Sequence, residues 1–317
     1  MRTELTDTTA SAVRNALTRS CQLMGGLTTG VVLNLVVMTD EAGQYDAMKA
    51  ASQAGREHPC QVLGVIARQP GGQRRLDAEI GVGESAPGQQ VLLRIYGELN
   101  EHVDSVITPL LVADTPVGIW WPGKAPQAPA ADPLGMLGQR RITDVVTSEA
   151  PTERLLQLAA GYRPGDTDLA WARTTNWRSL LAATLDRPAG LMLEATVAAE
   201  QDNPSAELMV AWLVGRLGVP VQREVSAGPG VTEVNFVTDG GKVVISRLDG
   251  RNATLSRPGE PDRYVALHRR DIAELLAEEL RRLDPDEVYG EALATLAGGS
   301  GGSSSPLGGT AATAGRE

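Results

Sequence analysis

Apolar positions along this chain follow two rhythms, and the rhythm changes near residue 150. Val31-Val32-Leu33-Asn34-Leu35-Val36-Val37-Met38 and Gln61-Val62-Leu63-Gly64-Val65-Ile66 are near-continuous aliphatic runs, as expected of strands covered on both faces. Ala42 to Glu57 between them has helical spacing, so the three predict a β-α-β unit with a parallel strand pair. Thr6 to Met24 reads as a preceding helix, with Asp7 or Thr8 as N-cap and Gly25-Gly26 as its stop. Arg75 to Val82 and Val91 to Tyr96 alternate around a Gly/Pro-bearing turn and predict an antiparallel hairpin. A helix over Asn100 to Leu111 leads into a buried strand at Pro116 to Trp120. Lys124 to Asp132, rich in Pro and Ala, reads as a surface loop, and Arg141 to Val146 as a closing strand. The first domain is thus α/β, mostly parallel with helices, over residues 1–150.

From residue 151 the strands shorten and the turns become Gly- and Asp-bearing. Helices are predicted at Pro151 to Ala160, Trp177 to Leu185, Ser205 to Leu217, Asp271 to Leu283 and Asp286 to Leu296. Strands are predicted at Gly190 to Ala198, Val219 to Val225, Val231 to Val237 and Lys242 to Leu248, at a spacing that favours an antiparallel sheet. Residues 151–297 therefore form an α+β domain. Residues 298–317 are mostly Gly, Ser, Ala and Thr with almost nothing to bury, and read as a disordered tail.

Composition narrows the class. The net charge is −10 and both halves are acidic, so neither offers a basic nucleic-acid surface. No apolar run approaches a membrane span and the first residues do not resemble a secretion signal. Two cysteines, Cys21 and Cys60, make no metal-ligand spacing. A reduced, cytoplasmic protein without metal or cofactor is expected.

Signatures of catalysis fail in turn. Gly81-Val82-Gly83-Glu84-Ser85 has the glycines of a phosphate loop but lies in a hairpin, and no GxGxxG follows the first strand. Lys124 and Lys242 follow glycines without the Ser or Thr of a P-loop, HExxH does not occur, and no GxSxG follows a predicted strand, its one match being Gly298 to Gly302 in the tail. His102 and Asp104 could pair on a strand, but on a helix they diverge, which leaves Asp104 and Ser105 as helix-start caps. His58 reads as a turn residue and His268 as solvated surface.

Tryptophan is placed more tellingly. Aromatic residues make up only 3% of the chain, yet four of five tryptophans fall in two clusters. Trp120-Trp121-Pro122-Gly123 ends a predicted strand, where an open α/β sheet collects binding sites. Asp166, Asp168, Trp171, Arg173, Trp177 and Arg178 follow on a predicted loop and helix. Trp and Arg bring large buried area and planar polar contacts, so these eight residues are the expected partner-binding set. The structural alternative is an Arg–Asp and Trp–Arg stack locking the two domains together.

Arg56-Glu57-His58-Pro59-Cys60, Pro109-Leu110-Leu111 leading to Trp120-Trp121-Pro122-Gly123, Arg140-Arg141-Ile142-Thr143-Asp144, and Gly165-Asp166-Thr167-Asp168-Leu169-Ala170-Trp171-Ala172-Arg173 resemble, as an ordered set, the OpcA family of glucose-6-phosphate dehydrogenase assembly proteins. The resemblance runs from about residue 5 to about residue 296. One departure is Thr175-Asn176-Trp177-Arg178, where the family pattern favours Thr-Pro-Trp-Arg. The resemblance implies a non-catalytic partner of glucose-6-phosphate dehydrogenase that promotes its active state and so supports NADPH supply through the oxidative pentose phosphate pathway. Two rivals remain: a sensor of a sugar phosphate or nucleotide, and an enzyme acting on a sugar phosphate through His102 and Asp104.

Overall fold

The structure is a computed structural model that describes residues 2–23, 30–68, 72–83, 86–186 and 190–299. Eight strands form the first sheet: β1 (Arg2–Leu5), β2 (Leu33–Thr39), β3 (Cys60–Ala67), β4 (Arg75–Gly83), β5 (Ala86–Tyr96), β6 (Val117–Trp121), β7 (Arg140–Thr143) and β8 (Asp166–Asp168). Their order is β1-β4-β5-β3-β2-β6-β7-β8. From β5 to β8 every neighbouring pair is parallel, and β1 and β4 add an antiparallel edge. The aliphatic runs at β2 and β3 are buried throughout their centres because helices cover both faces.

The helices of the described residues are α1 (Ala10–Leu23), α2 (Gln44–Ala54), α3 (Val103–Ile107), α4 (Pro151–Ala160), α5 (Leu169–Ala172), α6 (Thr175–Leu185), α7 (Pro204–Leu217), α8 (Ile272–Arg281) and α9 (Glu287–Gly299). Side chains alternate across β2, so Val36 joins the core under α1 while Leu35 and Val37 join the core under α2 and α8. The helix expected over Asn100 to Leu111 is a short α-turn flanked by two 3-10 turns, the last of which spans Thr108–Leu110 and contains Pro109. A proline there has no amide hydrogen to continue the α-helical ladder.

The second sheet has β9 (Met192–Ala199), β10 (Val221–Val225), β11 (Val231–Thr238), β12 (Gly241–Ser246), β13 (Asn252–Ser256) and β14 (Arg263–Ala266), in the order β10-β9-β11-β12-β13-β14. It is antiparallel except for the β9–β10 pair, which α7 connects. Gly218 ends α7 in the left-handed region at φ 64°, which a residue with a Cβ adopts only with strain. α6 and α7 cover the inner face, where Phe236, Val234, Val197 and Ile245 are fully buried.

Two arrangements go beyond the expected domain pattern. β8 lies past residue 150 yet pairs with β7 and completes the first sheet. α8 returns from the far end of the chain to pack against α2, and α9 packs on α4 and α7. The last helix reaches Gly299, so residues 298 and 299, expected in the tail, are helical. Residues 300–317 lie outside the described part, as do Met24, Gly25, Gly26, Glu84 and Ser85.

Candidate functional site at the sheet's carboxyl edge

The order of the parallel strands places the topological switch between β2 and β6, since the chain winds away from β2 in both directions. In open sheets of this kind a crevice opens at the carboxyl ends of the two strands flanking that switch. Here it is a cleft of about 560 Å³, lined among others by Met38, Asp40, Gly43, Trp120, Trp121 and Lys124. Trp120 and Trp121 are consecutive on β6 and so point to opposite faces, the first into the core under α2 and α8, the second into the core under α1. Both are almost wholly buried, and the Trp120 indole N–H has no hydrogen-bond partner among the described residues.

The start of α2 faces this cleft, and a dinucleotide phosphate would have to sit there. Instead the Asp40 carboxylate accepts a hydrogen bond from the Gly43 amide at 2.6 Å, and Asp46 follows in the first helical turn. The carboxylates of Asp40 and Asp46 already sit at this helix end and disfavour a phosphate beside it, with Lys124 lining the same cleft.

At the carboxyl ends of β7 and β8 lies a buried charged cluster. Arg173 donates two hydrogen bonds to the Asp144 carboxylate, at 2.7 and 2.8 Å. Asp168, fully buried, accepts from the Thr143 hydroxyl at 2.6 Å, the Val145 amide at 3.0 Å and the Ala170 amide at 2.8 Å. Burial and the neighbouring Asp144 push the Asp168 pKa up to about 7, against the Thr143 and Ala170 hydrogen bonds. Asp166 pairs with the Arg141 guanidinium and accepts from the Arg163 amide at 2.8 Å, which closes the turn before β8. Both aspartates thus hold backbone in place.

The remaining expected site residues meet where the two sheets adjoin. The Arg178 guanidinium lies 3.6 Å from the Trp171 ring centroid and is held by the Thr174 and Thr175 hydroxyls, each at 2.9 Å. Trp171 donates its indole N–H to Asp286 at 2.8 Å and packs on Tyr289 of α9. Its neighbours Leu155, Leu158, Leu208 and Leu293 come from α4, α7 and α9. Trp177 belongs to the second sheet's core, with Arg247 5.0 Å from its ring. All four indoles are turned inward: Trp120 and Trp121 into the first sheet's two cores, Trp177 into the second sheet's, and Trp171 into the core shared by α4, α5, α7 and α9.

Several buried residues nearby were not among the eight expected ones. Asp144 follows β7 directly, and its place at a strand's carboxyl end was the available signal. Arg140 and Glu279 form an ion pair with both side chains 4% exposed, pinning α8 to the sheet. His58 donates from Nε2 to the Ala277 carbonyl at 3.1 Å, so it holds α8 and not its own turn. No hydrogen bond joins His102 to Asp104 among the described residues; Asp104 instead accepts from Ser105 at 3.4 Å. No His, Cys, Asp or Glu group among the described residues could hold a metal ion, and no described helix is long and apolar enough to cross a membrane.

Residues 51–160 match the family described as glucose-6-phosphate dehydrogenase subunit N-terminal domain, and residues 164–293 match its C-terminal domain. The chain belongs to the OpcA family. Its role is therefore that of a protein associated with glucose-6-phosphate dehydrogenase. No curated protein sequence matches. Among solved structures, an oxidoreductase from Sinorhizobium meliloti is 12% identical with a TM-score of 0.40, the alignment covering 84% of this chain and 86% of that one. An NAD binding oxidoreductase from Klebsiella pneumoniae is 10% identical with a TM-score of 0.44, covering 83% and 95%. Likeness of this size transfers neither chemistry nor cofactor.

Proposed function

We propose that the chain is a non-catalytic assembly factor and allosteric activator of glucose-6-phosphate dehydrogenase, acting in the cytoplasm in support of NADPH production. The observation that carries the non-catalytic half is the acid at the switch-point cleft. Asp40 already caps the turn into α2, and Asp46 adds a second negative charge where a dinucleotide would place its own. Binding alone shifts a partner's equilibrium by no more than the difference in affinity for its two states.

The eight Trp, Asp and Arg residues enter this proposal as positioning residues. Trp120, Trp121, Trp171 and Trp177 are at most 3% exposed, so an indole can reach a partner only if the junction opens. Held closed, Asp166, Asp168, Arg173 and Arg178 fix β8, α5 and α6 against the sheet edge and so set the relative placement of the two halves. A partner that contacts both halves reads that placement.

The test mixes the purified chain with the dehydrogenase of the same organism and reads the rate of glucose 6-phosphate oxidation together with the mass of the complex. A mixed complex with a raised rate is expected. Absence of a complex, or oxidation by the chain alone in material free of dehydrogenase, overturns the proposal.

A further inference from the structure

A second, smaller cavity of about 110 Å³ lies between the two halves, away from the switch-point cleft. Four arginines line it: Arg173, Arg247, Arg269 and Arg270, with His268 at the rim. In a chain of net charge −10 this is a local reversal of sign. Two of the four are neutralised, Arg173 by Asp144 and Arg270 by Glu278. His268 stands 3.7 Å from Glu274. Arg247 and Arg269 have no carboxylate within ion-pair distance among the described residues.

Arg247 is the telling one. It is 6% exposed, and its terminal nitrogens donate to the Leu267 and Val231 carbonyls at 3.0 and 3.1 Å, while its Nε–H has no acceptor. A buried guanidinium without a counter-charge is unfavourable, because the desolvation of its charge is not offset by a partner. Arg269 makes the imbalance worse. A Cβ placed on Gly230 would stand 3.6 Å from Arg269 Nη2 and 3.9 Å from Arg247 Nη2, so the two cations converge on one glycine. Burial and the nearby Arg269 together lower the Arg247 pKa to about 10. The acids in view are Glu200 on the cavity wall, whose Oε1 accepts from Asn203 at 2.9 Å, and Asp249, which caps the turn at Arg251 and Asn252.

We infer that this cavity is a binding site for a small phosphoryl oxyanion, inorganic phosphate or the phosphate end of a metabolite, held between Arg247 and Arg269. Guanidinium groups match phosphate in charge and in planar hydrogen-bond geometry. At roughly 30 Å³ per water, the cavity has room for one oxyanion with a few waters and none for a polypeptide. Because its walls come from α6, the β9–α7 turn, β11 and the segment before α8, an anion there would tie both halves together. This inference does not depend on the identity of the protein partner.

The probe is inorganic phosphate, titrated into the full-length chain by calorimetry and by thermal melting, against chloride at matched ionic strength. Saturable binding and a rising melting temperature are expected. Ribose 5-phosphate in a parallel arm separates a free-phosphate site from one that takes a phosphate ester. Arg269→Gln, an exposed position whose loss the fold tolerates, should weaken phosphate about tenfold or more. Glu200→Gln, which removes the facing negative charge, should tighten it severalfold. Arg216→Gln, a surface charge on α7, should leave it unchanged. Arg247→Met is the direct variant, and Arg269→Gln decides the matter if it fails to fold. Phosphate acting no better than chloride, or Arg269→Gln titrating like the parent chain, overturns the inference.

Discussion

Trp171 shows how much a single side chain can carry. It closes a core shared by α4, α5, α7 and α9, stacks under Arg178 and donates to Asp286. Trp171→Ala should therefore cost about 3–5 kcal/mol of stability through the cavity it leaves, seen as a large fall in melting temperature. Unchanged melting with lost activation of the dehydrogenase would instead place the ring at the partner surface. Asp168 gives a prediction with a pH sign. Its pKa stands at about 7 in the fold, against ~3.9 in an unfolded chain. The native state thus keeps a proton that the unfolded state releases, so this residue's contribution falls as pH rises from about 4 to about 7 and is level above. Asp168→Asn should remove that slope, measured as the difference between denaturation series of the two proteins. It should also lower stability throughout, because the amide nitrogen would face the Val145 or Ala170 N–H. A slope identical to the parent's would show that Asp168 is ionised across the range.

Among elements, α8 ties together segments far apart in sequence. An Asp271–Glu274 capping box starts it, so its existence was readable locally. Its destination was not. Arg140, 139 positions away, reaches Glu279, and His58 reaches Ala277. Burial raises the Glu279 pKa, with Arg140 opposing the shift. Glu279→Ala leaves the Arg140 guanidinium buried without its counter-charge, and should cost about 3–5 kcal/mol in chemical denaturation. An Arg140→Met, Glu279→Leu double variant should recover most of that loss, since apolar replacements of similar volume remove the desolvation cost of both ions. Failure of the double variant to recover would mean that the pair sets the helix register and does more than satisfy charge.

For the molecule as a whole, the two sheets are not independent units in sequence. β8 and α8 belong to the first sheet's layer although they follow residue 150, and α9 joins α4 to α7. A fragment covering 1–165 would lack β8 and expose the face of β2 and β6 that α8 covers, including Leu35, Val37 and Trp120. It should not unfold cooperatively, and circular dichroism with calorimetry checks this. A sharp transition in that fragment would show that the α/β half folds alone.

The extent of each of these couplings follows from what is local and what is not. Residue pattern by itself determined the aliphatic strands β2 and β3, the β4–β5 hairpin and the helices α7 and α8, because each depends on neighbours within a few turns. It also determined the family, through an ordered series of short segments. The short β1, β13 and β14 are not legible in the pattern, because strands of four or five residues carry little periodicity. Strand order, the pairing of β8 and the inward turn of the tryptophans were decided only by the tertiary structure. A Trp/Arg cluster has the same composition whether it faces a partner or another part of its own chain. Trp171 is buried because Asp286, 115 positions later, comes to meet it, and nothing in the spacing of either segment encodes that meeting.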